Sequence, residues 1–154
     1  MVTEKIIWDV RAFHELPVGL LYKVLTLRNL VFVVEQQCIY LDTDGRDPLA
    51  LHLTGKNLDG EVVAYCRLFA PGIVYKEASI GRVVTDPKFR KTGLGKELMR
   101  EAISSLKKHF GEVSVRISAQ FYLKKFYEEF GFAAFGEIYL EDDIDHIAML
   151  KSSN

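Results

Sequence analysis

Hydrophobic and polar positions recur along the chain with two periods, and the switches between them mark the elements. Residues 5–10 read as a first strand. After Pro17, at home in a first helical turn, Leu20, Leu21, Val24, Leu27 and Val31 recur at helical intervals and predict a helix over 17–35. Arg28 lies at the edge of that stripe, where a charge needs a partner. Extended segments are predicted over 50–54, 61–69 and 76–84, with turn chemistry at 57–60 and a break at Pro71-Gly72. From Leu94 the helical period returns through Leu98, Met99, Ala102, Ile103 and Leu106, with Lys107 and Lys108 at the negative end and Gly111 as cap. Val113, Val115 and Ile117 then alternate with polar neighbours, as in a strand. Tyr122, Leu123, Phe126, Tyr127 and Phe130 share one face of a predicted helix over 120–130 that Gly131 ends, and 132–140 and 145–150 read as closing strands.

This order predicts a single mixed α/β (α+β) domain over 1–154, with helices covering a mostly antiparallel sheet. With 49% hydrophobic and 27% charged residues among 154, the composition is that of a globular chain. A net charge of −1 gives no basic footprint for nucleic acid or an anionic membrane. No apolar run is long enough to cross a bilayer, and the first residues lack the basic-then-apolar pattern of a secretion signal. Cys38 and Cys66 fit neither metal-ligand spacing nor a disulfide framework, so a cytoplasmic protein with reduced thiols and no metal is expected. Asp42, Asp44 and Asp47 lack the spacing and closing Glu of a calcium loop and read as turn formers, with Arg28 and Arg82 as expected partners. The apolar last strand is expected to pair with a second subunit in a homodimer.

The chemistry concentrates in "FRKTGLGKEL". Two glycines and three basic residues precede a strongly periodic helix, the arrangement in which backbone N–H groups can cradle an anion. The P-loop pattern fails, because Arg90 occupies its first glycine and Glu97 its final Ser/Thr position. The dinucleotide fingerprint fails at Leu98. On its own the motif fits an anion cradle and a plain strand-to-helix turn equally well.

Arg90, Gly93 and Gly95 match the Arg-x-x-Gly-x-Gly pyrophosphate loop of the GNAT superfamily of N-acetyltransferases, and "QFYLKKFYEEFGF" resembles a later segment of that superfamily. "LRNLVFVVEQQCIYLDTDGRD", "GRVV" and "DHIAML" resemble its ElaA branch over nearly the whole chain. The resemblance implies acetyl-CoA as co-substrate. Its pyrophosphate would rest on the backbone of Lys91, Thr92, Gly93, Leu94 and Gly95, between Arg90 and Lys96. Val83 and Thr85 would bond the pantetheine arm, N–H groups at Val84 and Thr85 would hold the oxyanion, and Gln120 would touch the coenzyme. Tyr127, by pattern alone a core tyrosine, matches the residue that protonates the departing thiolate. Transfer to a primary amine also needs a general base, for which Glu35 comes first and His146 second, ahead of His52 and Glu77. Neither cysteine is needed for direct attack. The acceptor, a small-molecule or peptide amine, is not named by any residue, and a non-catalytic acyl-CoA-binding module is the alternative.

Overall fold

The computed structural model describes residues 4–153. Strands β1 (Ile7–Ala12), β2 (Leu51–Lys56), β3 (Val62–Phe69), β4 (Ala78–Thr85), β5 (Val115–Gln120), β6 (Ala133–Glu141) and β7 (Ile144–Lys151) form one sheet in the order β1-β2-β3-β4-β5-β7-β6. All neighbours are antiparallel except β4 and β5. The helices are α1 (Val18–Arg28), α2 (Leu94–Phe110) and the short α3 (Lys124–Glu128).

Successive side chains of a strand face opposite sides of the sheet, so the fully buried β3 serves two cores. Its Cys66 and Leu68 pack with Leu94, Leu98, Met99, Ala102 and Leu106 of α2. Its Tyr65 packs with Leu20, Val24 and Leu27 of α1 and with Val31. The two helices therefore lie on opposite faces.

Several expectations need correction. The first helix changes form at Asn29–Glu35, where the chain becomes a π-helix with bonds from Gln36 N–H to Val31 and from Cys38 N–H to Val33. Such stretches favour functional sites, because the wider turn redirects side chains. The predicted 120–130 helix is shorter. Gln120 still belongs to β5, and a 3₁₀ turn, Phe121–Leu123, precedes α3. The last strand, β7, is paired on both sides, so it offers no edge to a second subunit; β6 is the edge strand.

Two departures from regular pairing open the sheet. Strands β4 and β5 are in register only at Ala78–Val115 and Ser79–Arg116, and diverge beyond. Strand β4 also carries a bulge: two residues, Arg82 and Val83, stand opposite Cys66 alone, and Arg82 takes φ 50°. A bulge bends and twists its strand, which here turns the end of β4 away from β5.

An ion-pair network holds this distortion. Arg28, fully buried, donates from Nε to Asp42 at 2.7 Å, from Nη1 to Asp47 at 2.7 Å and from Nη2 to the Asp42 carbonyl at 3.0 Å. Arg82 donates from Nε to the other Asp42 oxygen at 2.8 Å. Arg67 grips Asp44 with both terminal nitrogens, at 2.7 and 2.9 Å, and reaches Asp47 at 3.0 Å. Three guanidiniums thus balance three carboxylates. Burial would push the carboxyls of Asp44 and Asp47 up, but their arginine hydrogen bonds outweigh it and hold both below the usual range. The network ties the loop around Asp42 to the bulge.

Candidate active site

The divergence of β4 and β5 creates a cleft of about 520 Å³. The end of β4 forms one wall, with Val83, Val84 and Thr85; β5 and the following turn form the other, with Ser118, Gln120 and Tyr122. The end of the π-helix crosses it with Glu35 and Gln36, and the β6–β7 hairpin closes one end with Glu141, Asp142 and His146.

Backbone groups along β4 divide between neighbour and cleft. The Asp86 N–H bonds to the Val63 carbonyl of β3 at 2.8 Å. Antiparallel alternation turns Val84 toward β3 as well, and leaves Val83 and Thr85 facing the gap. Of the two N–H groups expected at an oxyanion, that of Thr85 is the one so directed.

The glycine loop lies beside this gap. Lys91 takes φ 64° and Gly93 φ 85°, so two left-handed residues make the tight turn into α2. Thr92 closes the turn by donating from Oγ1 to the Phe89 carbonyl. Around Gly93 there is open space, and a Cβ on Gly95 would meet only Phe126 at 3.7 Å, an ordinary contact. Nothing in the protein therefore requires Gly95 to lack a side chain; the space it leaves opens on the cleft. Arg90 and Gly95 line the cleft, whereas the Leu94 side chain is buried in the core and Lys96 pairs with Glu129 at 3.1 Å on the surface.

Tyr127 sits on the buried face of α3, edge-on to Phe126 and Phe132, and lines the cleft. Its residue exposure is 7%, and its hydroxyl has no hydrogen-bond partner among the described residues. Burial pushes the phenol far above its ordinary value, so it stays protonated.

The base candidates separate. Glu35 makes a two-pronged pair with Arg90, at 2.5 and 2.8 Å, and the bond from Arg90 holds its carboxyl below the usual range. In the coenzyme-free site Arg90 thus occupies the carboxylate that a base would need free. His52 is buried between the Tyr65 hydroxyl at 2.6 Å and the Asp47 carbonyl at 2.8 Å; burial lowers its pKa, and it holds the core side of the network. Glu77 precedes β4 and is not among the cleft-lining residues. His146 lines the cleft, with Nδ1 2.7 Å from the Ile144 carbonyl. A carbonyl only accepts, so Nδ1 carries the hydrogen and neutral His146 presents a lone pair at Nε2.

The cysteines play no such part. Cys66 is wholly buried, and burial pushes its thiol up. Cys38 reaches the Asp142 carbonyl at 3.4 Å, and partial burial with the acids Asp142 and Asp143 pushes its thiol up too. The described residues hold no group of three or more acidic, histidine or cysteine side chains able to bind a metal. Sequence reading missed Gln36, Tyr40, Tyr122, Glu141 and Asp142 as lining residues; only the acidic run at the β6–β7 turn carried a signal for them.

A domain described as acetyltransferase (GNAT) matches residues 52–153. The chain belongs to the GNAT acetyltransferase family. Protein ElaA of Escherichia coli is 38% identical over 150 residues, which are 94% of this chain and 95% of the relative. A UPF0039 protein of Synechocystis is 39% identical over 93% of each chain. Among solved structures, an acyl-CoA N-acyltransferase from Pseudomonas aeruginosa superposes with TM-score 0.92 at 39% identity, over 96% of this chain and 100% of that one. Crystalline E. coli ElaA superposes with TM-score 0.89 at 37% identity, over the same shares. The overall fold of this GNAT protein is thus shared with these two solved structures.

Proposed function

We propose that this protein is an acyl-CoA N-acyltransferase that moves an acetyl group from acetyl-CoA to a primary amine. The observation that carries the reading is the opening of the sheet between β4 and β5 directly beside the glycine turn into α2, with Tyr127 in the cleft.

The residues present fit an acyl-CoA. The N-terminus of the 17-residue α2, with Gly93 and Gly95 free of side chains and Arg90 alongside, offers N–H groups and positive charge to a pyrophosphate. Val83 and Thr85 offer main-chain partners to the pantetheine, with Gln120 opposite. Before attack, His146 takes the extra proton of the acceptor ammonium at Nε2. The amine nitrogen then bonds to the thioester carbon as the C–S bond breaks, and the Thr85 N–H stabilises the charge on the carbonyl oxygen. Overall one N–H proton ends on the sulfur. Tyr127, whose burial keeps its phenol protonated, is the proton donor in the cleft for the departing sulfur. It acts by donating a hydrogen bond to the sulfur as charge develops there.

The test is release of free thiol from acetyl-CoA across a panel of primary amines. Turnover is expected with at least one amine, and Tyr127→Phe should lower kcat about tenfold or more with the coenzyme Kd unchanged. Tight coenzyme binding without turnover on any amine would favour a binding module instead; full turnover in Tyr127→Phe would remove Tyr127 from the chemistry.

Glu35 acquires a different role. Its carboxylate occupies the Arg90 guanidinium as a phosphate oxygen pair would, and so competes with the coenzyme. Both side chains are about two-fifths exposed, so the competition is modest. Glu35→Gln is expected to tighten coenzyme binding by about two- to fivefold. Calorimetric titration reads this directly, and weaker binding in the variant would show that Glu35 supports the site instead.

A further inference from the structure

The geometry points to the class of amine: a primary amine that carries a second cationic group and no carboxylate beside the reacting nitrogen, as in a diamine or polyamine. The inference rests on the acyl-transfer reading for its chemistry, but its binding can be tested alone.

Its starting point is His146. The side chain is nine-tenths buried, at 9% exposure, and lines the cleft. Its Nδ1–H is taken by Ile144, and its ring stacks on Tyr139 at 6.1 Å, so ring orientation and tautomer are both fixed. The remaining nitrogen, Nε2, makes no hydrogen bond among the described residues. Its near neighbour is Glu141 Oε2 at 3.3 Å. Two acceptors face each other there, which is unfavourable unless a proton lies between them or a ligand donates to both. An ammonium group supplies three donors on one charge and satisfies both atoms at once. A neutral hydroxyl supplies one, and a carboxylate supplies none.

The surrounding charge extends the argument. Asp142 follows Glu141 on the same end of the cleft, with φ 51° in the β6–β7 turn. Neither Glu141 nor Asp142 has an arginine or lysine partner within ion-pair distance among the described residues. The cleft-lining cations are already committed: Arg82 to Asp42 and Asp44, and Arg90 to Glu35. When Arg90 turns to the coenzyme, it stays at the glycine turn. An amino-acid acceptor would thus bring its α-carboxylate toward Glu141 and Asp142 with no cation to receive it. A second ammonium on the acceptor meets those two acids instead.

Three probes separate these features. Butylamine has one ammonium, 1,4-diaminobutane has two, and ornithine is the same diamine with a carboxylate added. Each is titrated by ligand-observed NMR into the coenzyme-free protein and into protein saturated with CoA, for wild type and Glu141→Gln. We expect 1,4-diaminobutane to bind wild type about fivefold tighter than either other probe, the scale of one partly exposed ion pair. In Glu141→Gln the advantage over butylamine should shrink to about twofold or less. Equal binding of all three probes, no binding of the diamine, or an unchanged preference in Glu141→Gln overturns the proposal. Failure of CoA itself to bind defeats the acyl-transfer reading separately, and the amine series on the free protein still decides the acidic subsite.

Discussion

Asp42→Ala is expected to destabilise the fold by about 3–5 kcal/mol, the cost of breaking a buried ion pair from one side. Asp42 is 4% exposed and receives Arg28 on one carboxylate oxygen and both Arg82 and the Tyr40 hydroxyl on the other. Truncation leaves three guanidiniums facing two carboxylates, with Arg28 wholly buried. Against a total stability of about 5–15 kcal/mol the loss is large, and it corresponds to a fall in Tm of roughly 10 °C. The surface pair Lys107–Glu112, with both side chains more than half exposed, is the natural control, and Glu112→Ala should stay within about 0.5 kcal/mol of wild type. Urea denaturation of the two variants gives the comparison. An Asp42→Ala protein as stable as the control variant would mean that the buried charges are solvated in some other way.

The second large effect concerns chemistry rather than stability. His146→Gln keeps a polar side chain of similar reach but cannot accept and release a proton near neutral pH. Loss of a positioned base costs about 100-fold or more in kcat, so turnover should fall by that factor while CoA binding is retained. Because His146 stands in the interior strand β7, the variant's Tm must be measured beside its rate. A folded variant with wild-type kcat would return the base role to a water or to Glu35.

What the sequence disclosed depended on how local the signal was. Helix α2 was plain because Leu94, Leu98, Met99, Ala102 and Leu106 repeat at the period of the face they bury, and the Gly93 and Gly111 boundaries follow from backbone conformation. The burial of Tyr127 followed from the same kind of count. The π-helix at Asn29–Glu35 was invisible, since residues 30–34 are apolar at every position and carry no period from which a change of bonding could be read. Arg28 and Arg82 were recognised as partners of the acidic loop, but Arg67 was passed over inside an apolar strand. A charge in a strand with no exposed residue is itself a sign of a buried partner. The Glu35–Arg90 pair spans 55 positions and leaves no trace in local pattern. The insertion of β7 between β5 and β6 was equally hidden, because a hairpin shows which strands pair but not which of them meets the rest of the sheet.

The central claim is that the glycine turn and the parted strands hold an acyl-CoA. It is tested most directly by calorimetric titration of CoA into wild type and into Gly95→Glu. The substitution suits the first turn of α2, where an acidic residue is favourable and the new Cβ meets only Phe126 at 3.7 Å. The variant should therefore fold at least as stably as wild type. One CoA per chain should bind wild type, and binding to the folded variant should be lost, because a carboxylate would fill the space meant for the pyrophosphate. Undiminished binding in folded Gly95→Glu would contradict the account and put the coenzyme elsewhere.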